Sequence, residues 1–175
     1  MVLIISPSRC IVIYIALLLR SQKSRHKKKR RIFRTHIGRN AVTKIDRYST
    51  GSYFEGFAGY CRAVRLGDRV VVSGTAPQPP EGKDLSELDT YTQTIMSLEN
   101  ALESAAKVGG DKELTIFTRL YLAPNASWEE ASKAHSEIFD AIRPANTTLY
   151  IQRLIPPGAL IEVEIECGVA NAQQG

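Results

Sequence analysis

The chain has 175 residues and a formal net charge of +5, but its charges are unevenly distributed. Residues 1–45 contain 12 of the 23 Lys and Arg and no acidic residue, whereas residues 46–175 contain 11 basic and 18 acidic residues, a charge of about −7. An acidic domain repels phosphate backbones, so this composition argues against specific nucleic-acid binding. The three cysteines, Cys10, Cys61 and Cys167, form no CxxC motif or Cys/His cluster and predict neither a metal site nor a disulfide framework.

The first 45 residues are interpreted as an apolar and basic leader or extension before one domain of residues 46–175. Its apolar run, residues 10–19, is shorter than the about 20 residues that a spanning helix needs, and a basic block, residues 27–31, follows. Three interpretations stay open: a membrane tether, a mitochondrial presequence, and a poorly ordered extension or over-long start of the reading frame. A secretory signal is disfavoured because the basic block follows the apolar run.

The domain begins with a predicted hairpin and a helix. Residues 60–66 and 69–75 are rich in strand-forming residues, and Gly67-Asp68 between them is typical of a type II′ turn. After a Pro-rich loop, Asp89 is a predicted N-cap, and Gly109-Gly110 predicts the helix end. The apolar positions of that helix recur at helical spacing: Tyr91, Ile95, Leu98, Leu102 and Ala105.

The second half of the domain sequence predicts a strand, a helix and then two further strands. Residues 114–122 form the strand, and Ser127 with Glu130 forms a capping box before a helix that Pro144 ends. The predicted apolar face of this helix comprises Trp128, Ala131, His135, Ile138 and Ile142. Residues 147–154 and 160–167 are two further strands. The order β-β-α-β-α-β-β predicts an α+β sandwich with two helices on one face of a sheet and a second face buried by self-association.

Five short stretches, taken together, resemble the RidA (YjgF-type) family over residues 60–169. They are Gly-Tyr-Cys-Arg-Ala-Val at 59–64, Val-Val-Ser-Gly-Thr-Ala-Pro at 71–77, Tyr-Leu-Ala-Pro at 121–124, Arg-Pro-Ala-Asn-Thr-Thr at 143–148 and Leu-Ile-Glu-Val-Glu at 160–164. No single stretch is specific, but their order and spacing are. The resemblance implies a chorismate-mutase-like fold, a homotrimer with three pockets at subunit interfaces, and hydrolysis of enamines and imines without a metal or cofactor.

Matching motifs also imply a set of pocket residues. The substrate-binding positions are Tyr60, Ser73, Gly74, Ser132 and Asn146. The implied catalytic residue is Glu162, which can hold or activate water if its pKa lies near the operating pH. The interpretation from the residues alone differs, because alternating Glu162, Glu164 and Glu166 are typical of a solvated strand face.

Asn146 departs from the family pattern. The deaminating members have an arginine there, which binds the substrate carboxylate bidentately, whereas an asparagine cannot neutralise a carboxylate. Arg143 is a candidate replacement, although a cation at a helix end also suits the helix dipole. The expected ligand therefore lacks an α-carboxylate.

Three functions stay open. The first is hydrolysis of an enamine- or imine-type metabolite, the second is a non-catalytic trimer that binds a metabolite or a protein, and the third, weaker, is an endoribonuclease of the L-PSP type. The expected partners are a small-molecule ligand and further copies of the chain, with no specific nucleic acid and with membrane contact only through residues 1–45. We expect no cofactor and no metal.

The glycosylation sequons at Asn125 and Asn146 bear on location. A glycan on Asn146 would block the implied pocket, so a compartment without glycosylation is expected. The expected location is cytoplasmic, with a mitochondrial location or a membrane tether through the leader as alternatives.

Overall fold

The computed structural model describes residues 44–79 and 81–170; residues 1–43, which include nearly all of the predicted leader, lie outside them. The described part is one six-stranded sheet in the order β1-β2-β3-β6-β4-β5. The strands are β1 Ile45–Tyr48, β2 Ala63–Leu66, β3 Arg69–Thr75, β4 Thr115–Leu122, β5 Ala145–Tyr150 and β6 Ile161–Gly168. The helices are α1 Tyr53–Ala58, α2 Thr90–Ala106 and α3 Trp128–Phe139, with short 3-10 helices at Leu85–Glu87 and Lys112–Leu114. The predicted α+β class is confirmed.

The β2–β3 hairpin forms as predicted. Leu66 and Arg69 pair across the turn, and Gly67 has φ 66°, the positive value that the first central position of a type II′ turn requires. Tyr60 is wrong as the strand start, because β2 begins at Ala63. Tyr60 instead follows the C-cap of α1, and its N–H donates to the Glu55 carbonyl oxygen at 3.1 Å.

Two elements before Tyr60 were not predicted. Strand β1 pairs antiparallel with β2, and α1 begins at the N-cap Ser52 and ends at Gly59, whose φ is 71°. With four and six residues, both are too short for an apolar period to show. Local contacts hold the start of α1 in place, because the carboxylate of buried Glu55 accepts hydrogen bonds from the preceding turn.

Helix α2 begins as predicted, since Asp89 accepts a hydrogen bond from Thr92 N at 2.7 Å. Its buried face is rotated from the predicted apolar stripe and comprises Thr90, Gln93, Thr94, Ser97, Leu98, Ala101, Ser104 and Ala105. The polar members are satisfied internally. Gln93 Nε2 donates to the carbonyl oxygen of Leu85 at 2.8 Å, and Gln93 Oε1 accepts from Leu160 N at 2.8 Å. Hydrogen bonding at Gln93 therefore overrides the simple apolar period.

Helix α3 is shorter than predicted. Ser127 is its N-cap, but Glu130 does not complete the capping box and instead accepts from Tyr91 N at 3.3 Å, which joins the starts of α2 and α3. The helix ends at Phe139 because Arg143, with φ 53°, turns the chain before Pro144. The predicted packing of Trp128 is wrong, since its side chain is 53% exposed.

The last two strands define the two faces of the sheet. Strand β5 pairs in parallel with β4 and ends at Tyr150, so the predicted continuation to residue 154 is wrong. In β6 the odd-numbered residues, Ile161 to Cys167, are buried with the helices, and the even-numbered glutamates lie on the opposite face. We call that opposite face the bare face. In residues 44–79 and 81–170, no helix is long and apolar enough to cross a membrane.

Candidate functional site

The three glutamates of β6 share the bare face but have different partners. Glu166 forms an ion pair with Arg69 at 2.6 Å, and Glu164 forms one with Arg119 at 3.1 Å. Glu162 forms no hydrogen bond or ion pair with any residue of the described chain. The alternation predicted a solvated strand face without these ion pairs. Glu164 and Glu166 each pair with an arginine of a neighbouring strand, and Glu162 differs from both.

The carboxylate of Glu162 lies against the backbone of β3. A Cβ at Gly74 would overlap Glu162 Oε1 and lie 3.0 Å from Glu162 Cδ, so this approach requires a glycine. Burial raises the pKa of Glu162, Arg62 lowers it, and Glu164 raises it. The carboxylate is thus half-buried and without a hydrogen-bond donor, and its pKa is shifted toward neutral pH, as a general base requires.

Arg62 is the cation that lowers the pKa of Glu162, although the two side chains form no direct ion pair. Its Nη2 donates to the Gly74 carbonyl oxygen at 2.9 Å, and its guanidinium carbon lies 5.4 Å from the centroid of the Tyr60 ring. Its Nε is buried without a hydrogen-bond partner. Tyr60, Gly74 and Glu162 are therefore brought together around Arg62, in what we call the Glu162 half-site.

Ser73 positions this half-site. Its hydroxyl donates to the Cys61 carbonyl oxygen at 2.8 Å, and its N–H donates to the Arg62 carbonyl oxygen at 3.0 Å. Both donors of Ser73 are thus used to hold the segment before β2 against β3.

Asn146 lies on the opposite face of the sheet. Its Nδ2 donates to Thr118 Oγ1 at 3.0 Å, and its Oδ1 accepts from Thr148 Oγ1 at 2.9 Å. Thr118 Oγ1 also lies 2.9 Å from His135 Nε2, and burial lowers the pKa of this histidine, which favours the neutral ring. We call Thr118, His135, Asn146 and Thr148 the Asn146 half-site. The expectation of a packed histidine at position 135 agrees with this contact.

The two other predicted binding residues lie at the surface. Ser132 is exposed on α3, one turn before His135. Arg143 donates from Nε to the Asp140 carbonyl oxygen at 3.0 Å and pairs with Asp140 Oδ1 at 3.1 Å. The guanidinium of Arg143 thus closes the end of α3, as its helix-end position favoured, and does not contact Asn146.

Sequence reasoning did not select Arg62, which was not among the predicted site residues. A signal was available, because Arg62 lies in sequence between two implied pocket positions, Tyr60 and Ser73. A cation at such a position is expected to lie near the pocket. The alternating pattern of β2 did not identify Arg62 as a site residue, because Arg62 precedes the first residue of that strand.

Other site types find no support in the described chain. No group of three or more His, Cys, Asp or Glu residues within 44–79 and 81–170 is arranged to hold a metal ion. Cys61 and Cys167 are free thiols, and burial raises the pKa of Cys167, which disfavours its thiolate. An open cleft of about 400 Å³ lies between the 153–160 loop and the 123–125 turn, but no predicted site residue lines it.

Comparison with known proteins identifies the family. The family model described as Endoribonuclease L-PSP matches residues 50–169, which include both half-sites. The chain belongs to the YjgF/RidA family. A structure of Rv2704 from Mycobacterium tuberculosis, described as a member of the YjgF/YER057c/UK114 family, is 32% identical with a TM-score of 0.63, over 72% of this chain and 100% of that one. The mixed sheet with its three helices is thus the chorismate-mutase-like fold of these proteins.

This YjgF/RidA-family chain is also similar in sequence to two further proteins. The uncharacterized protein SCO2049 of Streptomyces coelicolor is 38% identical over 123 residues, 70% of this chain and 90% of that protein. A RutC family protein of Sulfurisphaera tokodaii is 27% identical over 108 residues, 62% of this chain and 86% of that protein. Each match spans most of the relative, and about 62–70% of this chain is covered.

Proposed function

We propose that this YjgF/RidA-family protein hydrolyses small enamine- or imine-type metabolites that lack an α-carboxylate, in pockets between copies of the chain. The observation that carries the proposal is the state of Glu162. Among the glutamates of β6 it alone has no cation or donor in the described chain, and burial raises its pKa. A carboxylate in this state is suited to accept a proton from water.

The chemistry requires one base and one oriented water. An enamine is protonated to its imine, and water adds to the imine carbon while Glu162 takes the water proton. The carboxylic acid then returns that proton to nitrogen, and the C–N bond breaks as the hydroxyl oxygen forms the carbonyl. The hydroxyl proton passes to solvent, which balances the proton taken up when the enamine was protonated, and the products are ammonia and a carbonyl compound. No electron transfer occurs, so no redox cofactor is needed. Gly74 allows Glu162 to lie against β3, and Ser73 and Tyr60 fix the segments on either side.

The absence of a cation at position 146 supports ligands without an α-carboxylate. Both polar groups of the Asn146 amide are engaged within the chain, by Thr118 and Thr148. A charge-assisted contact to a carboxylate contributes roughly 1.5–3 kcal/mol, and Asn146 cannot replace it.

We further propose a homotrimer in which the two half-sites meet across subunit interfaces. One half-site lies on the bare face and the other on the helix-covered face, so a pocket that contains both requires two copies. The bare face also exposes apolar surface, including Val71 and Leu149, at 44% and 43%. Association would remove such surface from water.

The decisive experiment measures ammonia release from neutral imines and enamines generated in situ. We expect Glu162→Gln to abolish catalysis. The matched control is Glu166→Gln, on the same strand and face, whose partner is Arg69. Equal activity in the wild type and Glu162→Gln, with the oligomer intact, would refute the proposed role.

A non-catalytic trimer that binds a metabolite or protein is the second candidate. The internal hydrogen bonds of Asn146 favour it, because Thr118 and Thr148 each already engage one polar group of the amide. If purified protein hydrolyses no imine while a small ligand still binds beside Glu162, this candidate replaces the first.

Endoribonuclease activity is the weakest candidate, although the matched family model carries that name. Residues 46–175 have 11 basic and 18 acidic side chains, which disfavours a phosphate-binding groove. RNA cleavage by a chain without residues 1–45 that is lost in Glu162→Ala would reverse this ranking.

For location we propose the cytoplasm, with a cleaved mitochondrial leader or a membrane tether as alternatives. Intact-mass analysis and fractionation of native protein separate them. Full-length protein in the soluble cytosolic fraction supports the proposal. A mature start between about residues 31 and 52 supports cleavage or a downstream start, and full-length protein in the membrane pellet supports a tether.

A further inference from the structure

We infer that Arg62 is a ligand-binding residue of the Glu162 half-site, and that this half-site selects neutral ligands that carry an oxygen acceptor next to an N–H donor. Amide-like compounds and imines or enamines with a neighbouring carbonyl are of this class. The inference rests on the proposed function only in placing the ligand beside Glu162.

The first observation is the unused hydrogen-bonding capacity of Arg62. A guanidinium has five N–H donors. In the described chain the guanidinium of Arg62 makes one hydrogen bond, from Nη2 to the Gly74 carbonyl oxygen, and its Nε is buried without a partner. By contrast, Arg65 donates from Nε to the Gly67 carbonyl oxygen at 2.8 Å. A buried donor without an acceptor is costly, and we expect a water or a ligand atom to accept a hydrogen bond from this guanidinium.

The second observation is the separation between Arg62 and Glu162. They interact electrostatically, but no nitrogen–oxygen pair between them lies within the ion-pair limit of 4.0 Å, and Glu162 has no donor in the described chain. Both side chains lie against Gly74, Arg62 through its hydrogen bond to the carbonyl oxygen and Glu162 beside the Cα, without neutralising each other directly. A ligand that gives an acceptor oxygen to Arg62 and an N–H to Glu162 satisfies both at once.

The charge balance favours a neutral ligand over an anion. With Arg62 cationic and Glu162 ionised, the half-site has no net charge, and Glu164, the next residue on that face, already has Arg119 as its partner. A ligand carboxylate would approach Arg62 beside the Glu162 carboxylate, and repulsion between them opposes binding. The Tyr60 ring beside the guanidinium restricts its orientation and offers an apolar surface.

The test uses the full chain and 2-pyrrolidinone, a cyclic amide whose C=O and N–H point to the same side. N-methyl-2-pyrrolidinone keeps the oxygen but lacks the N–H, and propionate is the anionic probe. Binding is followed by NMR titration, including the ¹⁵N signals of the arginine Nε groups. We expect 2-pyrrolidinone to bind more tightly than both other probes and to shift the Arg62 Nε signal but not that of Arg65.

Arg62→Gln should weaken 2-pyrrolidinone binding about tenfold or more, and Arg65→Gln, with the same change of charge, less than about twofold. Equal binding to wild type and folded Arg62→Gln, or tighter binding of propionate, would overturn the inference. If Arg62→Gln does not fold, the wild-type Nε signal decides, and an unmoved Arg62 signal at saturation overturns it. Loss of imine hydrolysis alone does not overturn the inference, because probe binding is measured without turnover. If the protein hydrolyses no imine but binds the probe through Arg62, only the proposed catalysis is rejected.

Discussion

Asn146 and Glu162 lie on opposite faces of one sheet, on strands β5 and β6 that flank β4. The side chain of Asn146 contacts Thr118 on the helix-covered side, whereas Glu162 is paired in register with Tyr121 on the bare side. One copy of the chain therefore cannot bring both side chains to the same ligand. This geometry gives the interface-pocket proposal a direct genetic test.

Mixed oligomers should recover activity from two inactive variants. Glu162→Gln removes the base, and Asn146→Trp fills the other half-site. If each pocket draws on two copies, random mixing after joint refolding restores about one quarter of the pockets. Ammonia release from the mixture, compared with each variant alone, is the measurement. No recovery in mixed trimers verified by mass spectrometry would contradict a shared pocket.

The pH dependence of catalysis should report on Glu162. As a base it acts when ionised, so the rate rises with pH through a pKa above the ordinary value of 4.5, which burial raises. Arg62 lowers that pKa and Glu164 raises it, so Arg62→Gln should move the midpoint upward and Glu164→Gln should move it downward. The profile of kcat/KM gives the midpoints. Shifts in the same direction for both variants would show that another group controls the rate.

Asn146→Arg should create or raise activity on 2-imino acids. A guanidinium at this position provides the charge that a carboxylate requires, and the gain in kcat/KM should be roughly 10–100-fold. Thr147→Arg is the matched control, because it adds the same charge one residue away on the other face of β5. An equal gain in both variants would mean that net charge, and not the position of the guanidinium, attracts the substrate.

Glu55→Gln should destabilise α1. Burial opposes ionisation of Glu55, but hydrogen bonds from Ser49, Thr50 and Gly51 lower its pKa to about 2. Removing the charge should cost about 1–3 kcal/mol at neutral pH. Because the folded pKa is depressed, this stabilisation is present above 4.5 and is lost as pH falls toward 2. Chemical denaturation at several pH values should therefore show that the difference in free energy of unfolding between wild type and Glu55→Gln shrinks at low pH. The exposed variant Glu99→Gln should show no such difference.

A chain that begins at Lys44 should fold and assemble like the full chain. Strand β1 begins at Ile45, and the basic block at residues 27–31 cannot enter a core without a large desolvation cost. Light scattering and thermal unfolding of both chains provide the comparison. A lower Tm or a change of oligomer in the shorter chain would assign a structural role to residues 1–43.

The residue pattern was enough to predict the family resemblance and most of the order of strands and helices. The II′ turn at Gly67 and the caps Asp89 and Ser127 act through local hydrogen bonds and φ values, which a short stretch of sequence encodes. The alternation of β6 likewise fixed which residues enter the core. Strand β1 and helix α1 were missed because both are too short to show an apolar period.

Contacts between distant strands determine how the site residues divide between the two faces of the sheet. The alternation of β6 treats Glu162, Glu164 and Glu166 as equivalent, and only the family resemblance singled out Glu162. In the structure, Arg69 and Arg119, from two other strands, pair with Glu166 and Glu164 and not with Glu162. These partners are 97 and 45 residues away in sequence, so no local pattern encodes them. The opposite faces of Asn146 and Glu162 follow from strand register. The physical reason is the same in each case: local sequence sets backbone conformation, whereas pairing between distant strands sets which side chains share an environment.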